Sequence, residues 1–200
     1  TLYTNTEVWN GSSWTEVNNL NTGRNGLGCN GETGDAALAV GGANPAQATV
    51  EQWNGTSWTT KNSLPTNKID AGCAGPSTAS VAMGGGPSPT NTSFEWDGSN
   101  WTAGGTMITA IQGAAAGGIQ TAAFSAGGYV GPAAGSKTET YDGTAFSTAP
   151  SLGTARQGFS GSGTAALGLV YGGYSTTYTN ATEEFTGSTS TLNVKTVTTS

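Results

Sequence analysis

Large hydrophobic side chains are sparse in this chain, and they return at fixed intervals in a background of Thr, Ser, Asn and Gly. A first aromatic stands at Trp9, Trp53, Trp96, Tyr141 and Phe185, so the interval is 44, 43, 45 and 44 residues. A second follows five residues later, at Trp14, Trp58, Trp101 and Phe146. An aliphatic anchor occupies Leu20, Leu64, Met107 and Leu152, and a glycine pair recurs at Gly41-Gly42, Gly84-Gly85, Gly127-Gly128 and Gly172-Gly173. Four markers in one register define an internal repeat of about 44 residues.

Each repeat reads as four short strands, a to d from the innermost outward. Strand a is predicted over 26–29, 70–73, 113–116 and 158–160. Strand b leads into the glycine pair, as in 37–40. Strand c carries the first aromatic, as in 7–9, and strand d begins at the second, as in 14–17. Between c and d stand Asn10-Gly11, Asn54-Gly55, Asp97-Gly98 and Asp142-Gly143, a hairpin signal because these residues tolerate positive φ. A small four-stranded sheet cannot bury both faces, so successive sheets must stack about an axis. The expected fold is all-β, a β-propeller of four-stranded antiparallel blades. Small residues in strand a suit the crowded axis, and the aromatics fill the wider gaps farther out.

The blades run over 21–64, 65–107, 108–152 and 153–200, after an outer hairpin at 1–20. That is five outer hairpins against four inner pairs. The expectation is the C-terminal part of a longer propeller whose earlier residues are absent. A five-membered ring with one incomplete blade, or closure by a neighbouring chain, are the alternatives. The last strand is expected over 192–199.

The double glycine after a strand, Glu139-Thr140-Tyr141-Asp142-Gly143, Arg156, and a second aromatic five residues beyond the first resemble the kelch motif. The resemblance covers essentially the whole chain and implies a kelch-like propeller. It implies no single function, because kelch propellers serve many. The Gly/Thr/Asn-rich, charge-poor style is also similar to that of structural repeat proteins of tailed marine phages, especially those infecting cyanobacteria. Glu184-Phe185-Thr186-Gly187 and Leu192-Asn193-Val194-Lys195-Thr196 carry that likeness.

Comparison among the repeats suggests a pairing. Glu7 and Arg24, Glu51 and Lys68, and Glu139 and Arg156 each stand 17 apart, and the same two positions in the remaining unit hold Phe94 and Ile111. Both charges vanish together, as they would if an unpaired buried ion were costly. Three interblade ion pairs and one apolar contact are therefore expected.

Charge and chemistry narrow the function by subtraction. Net charge is −6, and the six Lys and Arg are scattered, which argues against nucleic acid as a partner. No apolar run approaches 18 residues, so membrane insertion is not expected. Histidine is absent, which removes the commonest general base and metal ligand. No catalytic residue, metal site or cofactor is expected. Cys29 and Cys73 occupy equivalent repeat positions. A disulfide between them is possible, and free thiols acting as small core residues are favoured.

The b–c loops, 43–48, 86–92, 129–136 and 174–180, differ in every unit. They carry the candidate binding residues Tyr129, Tyr174, Tyr178, Asn44 and Asn91, on the face shared with the d–a connections. The function expected is a non-enzymatic structural or adhesive propeller displaying these loops. Its place would be a virion or extracellular surface, for example in a phage tail fibre or head decoration. Partners would be other structural proteins or a host-surface glycan or protein, with oligomerisation possible. A lectin-like carbohydrate-binding propeller and an intracellular kelch-type adaptor are the alternatives.

Overall fold

The computed structural model describes residues 2–186 and 195–196, which form eighteen strands and no helix. Strands β1 (Thr6–Trp9) and β2 (Trp14–Val17) make a two-stranded sheet. Four antiparallel four-stranded blades follow, each in sequence order from a to d. The first is β3 (Gly28–Thr33), β4 (Ala36–Gly42), β5 (Gln47–Trp53) and β6 (Trp58–Lys61). The second is β7 (Gly72–Ala74), β8 (Ser80–Met83), β9 (Ser93–Trp96) and β10 (Trp101–Ala103). The third is β11 (Ala115–Ile119), β12 (Ala122–Ala126), β13 (Thr138–Tyr141) and β14 (Phe146–Ala149). The fourth is β15 (Ser160–Gly163), β16 (Leu167–Tyr171), β17 (Thr182–Thr186) and β18 (Lys195–Thr196). The inner strands touch in order, β3 with β7, β7 with β11 and β11 with β15. The described residues form an all-β propeller with four four-stranded blades. Of the strand expected over 192–199, only 195–196 fall within the described residues; Gly187, Leu192, Asn193 and Val194 lie outside them.

The inner strands begin two residues later than the sequence suggests. Gly26, Asp70, Gly113 and Gly158 are corners and not strand residues, with φ of 57, 52, 63 and 60°. This left-handed conformation turns the chain from the outer edge of one blade into the innermost strand of the next. The corners are linked in series: Asp70 N–H donates to Gly26 O (2.7 Å), Gly113 N–H to Asp70 O (2.8 Å), and Gly158 N–H to Gly113 O (3.1 Å).

Three apolar cores lie between consecutive blades. Leu38 and Val40 of the first blade meet Phe94, Trp96 and Trp101 of the second. Val81 and Met83 meet Tyr141 and Phe146 of the third, and Ala115 and Phe124 meet Val170 of the fourth. In the first two cores the c–d aromatics of one blade pack on strand b of the blade before it. That neighbour contributes to burying the aromatic anchors, although Trp53, preceded only by the β1–β2 sheet, is also buried. Trp96 is fully buried, while Trp9 and Trp14 are 49% and 65% exposed, because no further sheet covers them among the described residues. Phe185 and Trp58 are half-buried. At the opposite end of the series Leu169 and Tyr171, the repeat equivalents of Leu38 and Val40, are likewise exposed.

The glycine pair has a steric cause. The N–H groups of Gly42, Gly85 and Gly128 donate at 2.7–2.8 Å to the backbone oxygens of Lys68, Ile111 and Arg156 on the following blade. Both glycines of each pair have positive φ, and a Cβ on Gly41 would collide with the Lys68 carbonyl. In the c–d turns only the glycine is left-handed (Gly11, Gly55, Gly98 and Gly143). Asn or Asp is there for its side chain. Asn10, Asn54, Asp97 and Asp142 each accept two backbone N–H bonds through Oδ1. These donors hold the Asp97 and Asp142 carboxyls below their ordinary pKa.

The expected ion pairs take a different register. Arg24 pairs with Glu51, not Glu7, and Arg156 pairs with Glu183, not Glu139. Each pair joins the segment entering strand a to strand c of the same blade, 27 residues on. Arg24 also donates to Gly41 O and Arg156 to Gly172 O. Lys68 reaches no carboxylate within ion-pair distance among the described residues. Its ammonium donates to Gly84 O, Thr90 Oγ1 and Thr92 Oγ1 at 2.6, 2.9 and 2.7 Å and lies 5.3 Å from the Phe94 ring centre. Burial pushes its pKa down to about 8. Glu139, where Ile111 stands in place of a cation, accepts the N–H groups of Ile108 and Thr109. Phe94 and Ile111 lie in different cores and not against each other. Glu7 is exposed.

Candidate functional site

The b–c loops are pinned beside the d–a segments. Residue pairs Asn25 and Ala43, Thr90 and Ile111, Gln112 and Tyr129, and Gln157 and Tyr174 form isolated antiparallel bridges. Loops and corners thus share one face of the propeller, as the strand order requires. At the centre of that face, around the axis, lies a cavity of about 550 Å³.

Its wall is asymmetric. The residue after each glycine pair is Ala43, Gly86, Tyr129 and Tyr174 in turn, so only the third and fourth blades place an aromatic there. Tyr129 exchanges both backbone hydrogen bonds with Gln112 (2.7 and 3.1 Å), and Tyr174 does the same with Gln157 (3.0 and 2.8 Å). The ladder therefore fixes two Gln–Tyr units side by side on the cavity wall. Tyr178 returns over Tyr174, with ring centres 5.3 Å apart at 63°, and is 89% exposed at the rim. Phe159 and Leu27 supply apolar surface, and Asp70 supplies the one carboxylate. Burial raises the Asp70 pKa above its ordinary value.

Tyr129, Tyr174 and Tyr178 are thus brought together. Asn44 and Asn91 are not part of this lining. Asn44 is exposed and donates through Nδ2 to Asn25 Oδ1 (3.0 Å), and the exposed Asn91 accepts the Met107 N–H (2.8 Å) through its backbone. Sequence reasoning missed Asp70, Gln112, Gln157 and Phe159 as site residues. A signal existed for the first three. Gln112 and Gln157 share one repeat position, and Asp70 is the single non-glycine at its own.

Below the cup the cavity meets an axial channel of about 260 Å³ between the inner strands, lined by Gly28, Cys29, Gly72, Cys73 and Ala116 among others. Cys73 packs its sulfur against Gly28 of the preceding strand, and Ala116 packs likewise on Gly72. Cys29, at the equivalent place on β3, is exposed and not a core residue. Both cysteines are free. A crevice between the third and fourth blades has room for about 20 Å³, no more than a water.

What the cup offers is a set of flat aromatic faces beside planar amide and carboxylate groups, with no Lys, Arg or His in its lining. Such a surface suits ligands that combine an apolar face with several hydrogen-bonding groups, and it disfavours anions. No protein-family model matches the sequence, and no curated protein matches it. The fold does match a solved one. The structure of YjhT superposes on 96% of this chain and 76% of its own length, with a TM-score of 0.79 and 13% identity, a likeness that shows a shared β-propeller fold.

Proposed function

We propose that this protein is a non-enzymatic adhesive propeller that binds a neutral, polyhydroxylated ligand, the terminal sugar of a glycan, in the axial cup. The observation that carries the reading is the convergence of Tyr129, Tyr174 and Tyr178 with Gln112, Gln157 and Asp70 on one cavity with room for a sugar. Pyranose rings present an apolar face to an aromatic and a rim of hydroxyls to planar acceptors and donors, and the cup supplies both. Tyrosine gives a large contact area with few torsions to fix. Binding rather than hydrolysis is supported by the single carboxylate, since two-carboxylate glycoside cleavage needs a facing pair. A kelch-like repeat is compatible with this role. The charge-poor, Thr/Asn-rich surface supports display on a virion or cell exterior, with the b–c loops turned toward the partner.

A glycan array probed with the labelled chain tests the proposal. Binding is expected to glycans ending in neutral hexoses, to be absent from sialylated and sulfated ones, and to be lost in Tyr174→Ala/Tyr178→Ala. An array without signal, or one whose signal survives loss of both tyrosines, overturns it.

A further inference from the structure

The four corners around the cup offer a comparison inside one molecule. Gly26, Gly113 and Gly158 adopt the left-handed conformation at the least steric cost, and Asp70 adopts it with a side chain (φ 52°). The corner hydrogen bonds do not call for that side chain, because Gly113 and Gly158 make the same bond to the preceding corner through the backbone. Among the described residues nothing rewards the carboxylate either. It has no salt-bridge partner there, and burial works against its charged form. A half-buried acceptor is thus held at a position where the fold prefers glycine, on the wall of the cavity that also holds the tyrosines.

We propose that Asp70 is the specificity-determining residue of the cup, and that its carboxylate receives two adjacent hydroxyl groups of the bound sugar. The inference rests on the glycan reading of the cup. A carboxylate has two oxygens and no donor, so it pairs with neighbouring hydroxyls and rejects ligands that bring negative charge. Gln112 and Gln157 lie farther round the wall and can both donate and accept, so they tolerate either orientation of a hydroxyl; Asp70 does not. Discrimination among neutral sugars is therefore assigned to Asp70, and stacking strength to the tyrosines. Sugars with a free vicinal diol are the class taken, and 2- or 3-deoxy or O-methyl analogues the class refused.

Asp70→Gly tests this cleanly, since it installs the residue found at the other three corners. The probes are free monosaccharides from the array hits, with their deoxy and O-methyl analogues, titrated calorimetrically against wild type, Asp70→Gly, Asp70→Asn and Tyr174→Ala. Asp70→Gly is expected to keep or raise Tm and to lose about tenfold or more in affinity, the scale of a charge-assisted hydrogen bond. Asp70→Asn, which also tolerates the corner, should fall between. On wild type one deoxy analogue should bind as weakly as the parent sugar binds to Asp70→Gly, and on Asp70→Gly parent and analogue should bind alike. If Asp70→Gly binds the parent sugar as wild type does while Tyr174→Ala does not, the role of Asp70 is wrong and the cup reading stands. If wild type binds no sugar at all, both fall together.

Discussion

Arg24 and Arg156 enter sites that water does not reach, and each meets a carboxylate of its own blade. Taking both charges out of water is costly, and removing one partner leaves the other unpaired with that cost undiminished. Arg24→Met should therefore destabilise the chain by about 3–5 kcal/mol, whereas Arg24→Met/Glu51→Leu, which removes both ions, should recover most of the loss. Glu7→Gln, at an exposed carboxylate, should change stability by less than about 0.5 kcal/mol. Urea unfolding of the four proteins checks this, and it separates the observed register from the one the sequence suggested. Spacing was a poor guide here for a physical reason. In the second blade Phe94 replaces the acid and Lys68 turns to a carbonyl and two hydroxyls. In the third, Ile111 replaces the cation and Glu139 turns to backbone N–H groups. Each orphaned charge found polar partners of its own, so acid and cation do not vanish from the same blade. They only appear to do so when counted across the blade boundary.

At the scale of the element, one sequence feature carries different energies in different blades. The pairs Trp9–Trp14 and Trp96–Trp101 flank the same turn, with ring centres 5.6 and 5.3 Å apart. Trp96 lies in the core against the first blade, whereas Trp9 keeps half its surface in water. The Trp96 indole also donates to Ser77 O (3.1 Å), in the a–b turn of its own blade. Trp96→Ala should cost about 3–5 kcal/mol and Trp9→Ala about 1 kcal/mol or less, by thermal or urea unfolding. The repeat, the strand order and the c–d turns were legible because each rests on contacts local in sequence or shared by every unit. Burial of the aromatics was not, since it depends on what the neighbouring sheet supplies and not on the residue alone. The start of strand a was missed for a third reason. Glycine at 26, 113 and 158 suits a strand near the axis and a left-handed corner equally well, and only the interblade hydrogen bonds decide between them. The same ambiguity hid Asp70, which in one dimension reads as the first residue of a strand. The tyrosines were found because aromatic residues in variable loops need no register to be noticed.

For the molecule as a whole, stability should follow the order of the blades. A propeller blade gains most of its apolar burial from its two neighbours, so an array of blades behaves as units coupled at their interfaces. The second and third blades are covered on both faces, with cores on either side of β8 and β12. The β1–β2 sheet has one covered face, through contacts such as the Trp58 indole to Thr6 Oγ1 (2.9 Å). It also has no third strand among the described residues. The fourth blade leaves Leu167, Leu169 and Tyr171 open to water. Native-state hydrogen exchange should consequently show a gradient, with amides of β8 and β12 opening only with global unfolding. Those of β16 should exchange earlier and those of β1–β2 first. The interblade bonds from Gly42, Gly85 and Gly128 and the linked corners oppose such a gradient, because they tie backbone to backbone across the three interfaces between the four blades. If these ties dominate, the strands of the four blades will share one protection level and the blades will open as a single unit. If side-chain burial dominates, as the three separate cores imply, Trp96→Ala should lower protection in the first and second blades more than in the fourth. The two outcomes differ in the response of β16 to a substitution two blades away, so one exchange experiment on wild type and Trp96→Ala distinguishes them.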